Sequence, residues 1–245
     1  AWFNNISFTG HSLGGGLASI MSIWFNRPAT VFDPAPFQST AESGFTVNSV
    51  IASLGAFVPS AIRDYIPAEH FANREANVQS YYAVGEFLQV GRTVANTVYA
   101  ANTPIQFGNA DVGAFAMHSQ ALLTAGLLSD AFRQATVTVQ SSLPLVMSDK
   151  LYSQETQGLQ TRNFLIDLIR SEQQTPGNSK LSHFAADLNK LGGNLAGLNA
   201  KAQDALKTLV EMAIPDGAKD VRQAVLDALR ALPEVRSAAT LDLGD

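Results

Sequence analysis

Seven residues, Thr9-Gly10-His11-Ser12-Leu13-Gly14-Gly15, constrain what this chain can fold into more than any other stretch. The run Ile6-Ser7-Phe8 leads into them, and the small-residue helix pattern Gly15-Gly16-Leu17-Ala18-Ser19-Ile20-Met21 leads out. Strand, Gly-x-Ser-x-Gly turn and helix in that order predict a nucleophile elbow. Ser12 then sits on a sharp, strained turn and its hydroxyl stands clear of the sheet. Gly10 and Gly14, lacking a Cβ, are expected to let strand and helix pass close beside that turn. The helix aims its N-terminus at the site, where partial positive charge favours a developing oxyanion; the backbone N–H of Leu13 is the expected donor.

The chain has 245 residues, 46% of them hydrophobic and 15% charged, which is the balance of a globular protein with a generous core. A net charge of -5 without basic runs argues against nucleic acid as a partner. The absence of cysteine excludes disulfides and thiolate metal sites. No run reaches the ~18 apolar residues of a transmembrane helix, so no transmembrane span is expected. Charge is unevenly spread. Arg27, Arg63, Arg74 and Arg92 are the only Lys or Arg residues up to position 120, whereas bases and acids are frequent beyond it. The first part therefore predicts a buried parallel sheet with covering helices, and the later part solvated helices. The expected division is a partial α/β domain over 1–145 and a helical extension over 146–245.

Along the chain, Trp2 to Phe8 is the expected first strand and Leu17 to Phe25 continues the elbow helix, which Asn26-Arg27-Pro28 ends. Ala29-Thr30-Val31-Phe32 is the next strand, closed by the proline-flanked turn Asp33-Pro34-Ala35-Pro36. Residues 43–62 carry no charge and space Val47, Val50, Ile51, Leu54, Phe57 and Val58 by three and four. That face predicts either a helix packed on the sheet or a cap that lies on lipid. Val78 to Val84 is the third strand; Asn102-Thr103-Pro104 and Gly108-Asn109 are turn signals; Thr136 to Val139 alternates like a short strand. From about Leu151 the pattern is helical. Leu181, Leu188, Leu195, Ala202 and Leu209, with Phe184, Leu191, Leu198, Ala205 and Met212, form an a/d seam suited to packing on the core or to helix-mediated self-association. Gly192, Gly193 and Gly197 weaken it by roughly 1 kcal/mol each relative to Ala. Ala218 to Leu232 is a further amphipathic helix. An elbow strand is normally central, so one at the start of a sequence predicts upstream strands and a chain that is a piece of a longer protein.

A serine hydroxyl needs a base, usually a histidine oriented by a carboxylate. His11 adjoins the serine inside the elbow, His70 lies in a polar connection and His183 in the remote helical region. His118, after the third strand and before an apolar helix, is the expected general base. In the chain order Ser, acid, His, the available carboxylates are Asp33, Glu42, Asp64, Glu69, Glu75, Glu86 and Asp111. Glu86 ranks first, at the end of the third strand in a charge-free setting; Asp33, ending the second strand, is the alternative acid, then Asp111. The chemistry requires no metal and no organic cofactor.

Gly10-His11-Ser12-Leu13-Gly14-Gly15-Gly16-Leu17-Ala18 resembles the nucleophile segment of class 3 (fungal-type) lipases and their bacterial relatives. Val31-Phe32-Asp33-Pro34-Ala35-Pro36-Phe37, Tyr82-Ala83-Val84-Gly85-Glu86-Phe87-Leu88 and Met117-His118-Ser119-Gln120-Ala121-Leu122-Leu123 are similar to that family's following strand, its acid-bearing strand end and its histidine segment. The resemblance covers about residues 5–130. It implies the C-terminal half of an α/β-hydrolase and hydrolysis of acylglycerol or phospholipid esters, with lipid or another ester as substrate. It also implies a secreted or extracellular setting. Two departures accompany it: Glu86 stands where Asp is usual, and the family's N-terminal half, which carries the second oxyanion donor, is not in this sequence. Losing one such donor typically costs ~10²–10³ in rate, so the 245 residues alone are expected to be nearly inactive. The alternative is a catalytically inactive hydrolase-like scaffold whose C-terminal helices bind a partner.

Overall fold

The computed structural model describes residues 5–95, 101–108, 112–148, 152–154, 161–192 and 219–235. The chain forms two compact units, Ala1–Ile105 and Gln106–Asp245.

The first unit is built on a parallel sheet in the order β1 (Phe8–His11), β2 (Ala29–Phe32), β3 (Val78–Ala83), β4 (Ala101–Ile105). Phe8 is in register with Ala29, Ala29 with Val78, and Gln79 with Ala101. Helix α1 (Leu13–Phe25) starts directly from the turn at Ser12 and ends where Asn26 takes a left-handed φ of 53°. Residues of α1, β2 and the segments after them share one core, including Ile23, Trp24, Val31, Phe37, Val47, Ile62 and Val78. Each large side chain removed from water there contributes roughly 1.5–3 kcal/mol. Trp24 also satisfies its indole N–H, which donates to the Ala41 carbonyl at 3.1 Å.

The uncharged segment is not one helix. Ser43 caps α2 (Gly44–Leu54), its hydroxyl accepting from Thr46 N; a 3-10 turn, Gly55–Phe57, and Pro59 then break the helix before the short piece Ser60–Arg63. Val47, Val58 and Ile62 join the core, while Phe45 and Phe57 stand 84% and 90% exposed. Helix α3 (Pro67–Arg74) leads into β3, and α4 (Leu88–Val94) follows it.

Three sequence expectations are corrected. Among the described residues the first strand is Phe8–His11, so Asn5 to Ser7 of the expected Trp2–Phe8 strand precede it, because its ladder extends only as far as the partner Ala29–Phe32; Trp2 to Asn4 lie outside the described residues. Asn102-Thr103-Pro104 is not a turn but part of β4. Pro104 cannot donate to a ladder, and β4 tolerates it because it lies at an edge of the described sheet. Thr136 to Val139 is not a strand but the end of a helix. Phe132, Ala135, Thr136 and Val139 are all buried at helical spacing, and four alternating residues fit either period.

The second unit is helical: α5 (Gln120–Leu128), α6 (Asp130–Thr138), α7 (Phe164–Gln174), α8 (Lys180–Gly192) and α9 (Lys219–Ala231), with a small antiparallel ribbon of β5 (Tyr152–Gln154) and β6 (Thr161–Asn163). Ser129 makes the corner between α5 and α6, donating its N–H to Ala125 and accepting from Phe132 N. The seam residues Leu181, Phe184 and Leu188 are buried within this unit, where α8 packs on α6 and α7 and the Phe184 ring lies 5.2 Å from that of Phe164. The seam positions from Leu195 to Met212 lie outside the described residues. Among the described residues no helix is long and apolar enough to cross a membrane.

Candidate active site

Ser12 occupies the turn between β1 and α1 at φ 58°, ψ −126°, a backbone conformation that L residues adopt only under constraint. The constraint is visible in the hydrogen bonds. Ser12 N donates to the Phe32 carbonyl at 3.0 Å, and the Ser12 carbonyl accepts from Gly16 N at 3.1 Å and Ala35 N at 2.9 Å. The serine is thus pinned both to its own helix and to the end of the neighbouring strand. Leu13 opens α1, and as a first-turn residue its N–H has no intrahelical acceptor; its side chain is 69% exposed.

The glycines divide the work differently from the sequence expectation. A Cβ on Gly10 would lie 2.2 Å from the Gly14 carbonyl oxygen, so Gly10 is required where strand and helix pass. A Cβ on Gly14 would meet nothing. Gly15 and Gly16 instead admit the second turn: Cβ atoms there would stand 2.9 Å from Pro34 Cβ and 3.0 Å from the Ala35 carbonyl.

That second turn begins at Asp33, which is fully buried and has a φ of 42°. Two strained non-glycine residues therefore sit at the C-terminal ends of adjacent strands, where open α/β sheets place ligands. Asp33 N donates to the Tyr81 carbonyl at 2.8 Å, and Asp33 Oδ1 accepts from Ala83 N at 2.8 Å. Oδ2 accepts no hydrogen bond among the described residues, and His11 Nε2 stands 3.7 Å from it. A buried carboxylate with one oxygen anchored and the other facing a histidine without accepting a hydrogen bond is suited to orienting an imidazole.

Glu86 is also buried, at 2% exposure, but both its oxygens are engaged. Oε1 pairs with Arg92 Nη2 at 2.5 Å and Oε2 accepts from Leu88 N at 2.8 Å. Asp111 lies outside the described residues. His70 is tied locally, its Nδ1 accepting from Ile66 N at 3.2 Å, and its ring centroid lies 5.8 Å from that of Tyr65. His118, in the second unit, ends the short helix Ala114–Met117 and donates its N–H to the Phe115 carbonyl at 3.2 Å; Ser119 beside it caps α5. Sequence reasoning missed Arg92 as a buried partner of Glu86. The signal was present in its being one of very few bases in the charge-poor part. An apolar pocket of about 480 Å³ lies at the far end of β1, lined by Ile6, Phe8, Met21, Phe25 and Phe57, away from Ser12.

A parallel α/β sheet with a strained serine between a strand and a glycine-rich helix defines a lipase- or phospholipase-like hydrolase domain. The pattern of the Tle-like phospholipase domain matches residues 3–132, and the chain belongs to that family. No curated protein and no solved structure matches it.

Proposed function

We propose that the chain supplies the catalytic residues for hydrolysis of carboxylic esters of lipids, acylglycerols or phospholipids, with Ser12 as nucleophile, His118 as general base and Asp33 as the carboxylate that orients it. The class 3 lipase resemblance of Gly10 to Ala18 supports the same reading. In this reaction Ser12 Oγ bonds to the ester carbonyl carbon while its proton passes to the histidine. The oxyanion that forms is stabilised by the N–H of Leu13 and the N-terminus of α1. Collapse breaks the bond to the alcohol, which leaves with the proton held by the histidine. Water, deprotonated by the same histidine, then releases the fatty acid and restores Ser12.

The observation that carries the reading is the backbone of Ser12 at φ 58° at the end of β1, directly followed by α1. Asp33 is preferred to Glu86 because one of its buried oxygens accepts no hydrogen bond among the described residues while Arg92 and Leu88 N occupy both of Glu86. The test is fatty-acid release from phosphatidylcholine vesicles and covalent labelling by a fluorophosphonate probe, both on the full-length protein. Labelling that disappears in Ser12→Ala, with hydrolysis reduced at least ~10³-fold, is expected. Hydrolysis or labelling that survives Ser12→Ala overturns the assignment, and so does the absence of both in the unaltered protein.

A further inference from the structure

The turn Asp33-Pro34-Ala35-Pro36 has two prolines and therefore few donors with which to hold its own shape. It is held from outside at three successive residues. Asp33 is fixed by the end of β3, and Ala35 N donates to the Ser12 carbonyl. The carbonyl of Pro34, between them, accepts from Arg92 Nη1 at 2.8 Å. The second nitrogen of the same guanidinium pairs with Glu86 Oε1 at 2.5 Å, and Leu88 N holds the other oxygen of Glu86. The guanidinium also lies over the Tyr82 ring, 5.1 Å from its centroid. Arg92 is 5% exposed. On the far side the turn rests against α1 at Gly15 and Gly16, and Pro36 lies where a Cβ on Gly91 would meet it at 3.5 Å.

A buried ion pair is poor at generating stability, since its desolvation offsets most of its attraction and an apolar pair of similar volume often does as well. The fork geometry of arginine is what an apolar pair cannot supply: two nitrogens at fixed separation, one on a carboxylate and one on a backbone carbonyl. We infer that Arg92, held by Glu86, is a positioning residue that sets the Asp33–Ala35 turn against the Ser12 elbow. The inference rests on the proposed role of Ser12 and Asp33. Glu86, Arg92, Pro34, Ala35 and Ser12 form one chain of contacts, so a shift of the guanidinium is transmitted to the backbone of the serine through Ala35 N.

The test is the double variant Glu86→Leu/Arg92→Met, compared with Arg92→Lys and Glu86→Gln. The double variant should keep its thermal midpoint within about 5 °C, as an apolar replacement of a buried pair does. Its kcat for vesicle hydrolysis should fall about 10- to 100-fold with KM little changed, the pattern of misplaced reacting groups. Arg92→Lys, a single-point cation, should fall in the same direction by less. Independently of activity, the Ala35 amide should exchange its hydrogen at least ~10-fold faster in the double variant. Unchanged exchange at Ala35, or an unchanged kcat in the double variant, overturns the inference. If Glu86→Gln is inactive while Asp33→Asn and Arg92→Met stay active, Glu86 is itself the orienting acid, and both the proposed role of Asp33 and the positioning role of Arg92 fail. Hydrolysis surviving Ser12→Ala removes the esterase reading but leaves the Ala35 exchange result to decide the positioning role.

Discussion

The missing side chain of Gly10 faces the carbonyl of Gly14, where a methyl group would stand 2.2 Å from the oxygen and 2.7 Å from Gly15 N. These are backbone atoms at the start of a helix and have no rotamer by which to yield. Gly10→Ala is therefore expected to cost at least about 3 kcal/mol or to prevent folding. Gly14→Ala meets open space and helical backbone, so it should be neutral or slightly stabilising, within about 1 kcal/mol. Urea unfolding of the two variants checks the asymmetry. Equal destabilisation would show that both glycines are needed for the approach of strand and helix.

Arg74 reaches from α3 to the carbonyls of Ile23 and Trp24, each at 3.1 Å, and of Ala61 at 2.8 Å. It places a cation at the C-terminal end of α1 and ties that end to the short helix Ser60–Arg63. Burial lowers its pKa from the ordinary arginine value, against a raising contribution from Tyr65. Arg74→Met is expected to destabilise the first unit by about 2–4 kcal/mol, because three carbonyls lose a charged donor together. Hydrogen exchange at the last turn of α1 should rise in parallel, and a change below about 0.5 kcal/mol would contradict the clamp.

Tyr65, under the same guanidinium at 5.0 Å, is 4% exposed and its hydroxyl has no hydrogen-bond partner among the described residues. Burial pushes its pKa up to about 12, with Arg74 pulling it down and Glu42 adding to the rise. Tyr65→Phe removes an unsatisfied group and should be neutral or stabilising by up to about 1 kcal/mol. The folded state holds this proton after the unfolded chain has lost it. Stability should therefore fall as pH rises from the ordinary value of 10.0 towards about 12, and that slope should be absent in the variant. Denaturant midpoints measured from pH 9 to 12 decide it.

In the second unit Glu172 is 4% exposed and joins α7 to the start of α8. Burial alone would raise its pKa. Hydrogen bonds from Gly177 N, from the hydroxyls of Ser179 and Ser182 and from Ser182 N outweigh that and hold it below the ordinary value. The stabilisation is complete above the unfolded value of 4.5 and is lost as pH falls through the lower folded value. Glu172→Gln should cost about 1–3 kcal/mol at neutral pH and flatten stability in acid. Circular dichroism melts from pH 7 down to pH 3 read both effects, and a variant with the same acid slope as the parent would rule out this carboxylate as the cause.

How much of this was legible in advance depended on range. The elbow at Ser12, the helix ending at Asn26, β2 and β3 could be read because each rests on a local pattern: glycine spacing, a left-handed stop, short β-branched runs. The apolar segment 43–62 was recognised, but its break at Gly55 and Pro59 put Val58 inside and Phe57 outside. β4 was hidden by Pro104, which signals a turn in isolation and is harmless only at a sheet edge. The end of α6 was hidden because four residues cannot separate a period of two from one of 3.6.

By itself the sequence determined the class of fold, the serine and its turn, since close backbone approach and a strained φ depend on residues adjacent in the chain. It also supplied the carboxylates Glu86 and Asp33 as candidates, with Glu86 ranked ahead of Asp33. Only the tertiary structure decided which of them has an oxygen outside a hydrogen bond among the described residues. That depends on Arg92, Ala83 N and Leu88 N, groups placed beside the two acids by strand pairing and helix packing and carrying no mark of it in the order of residues.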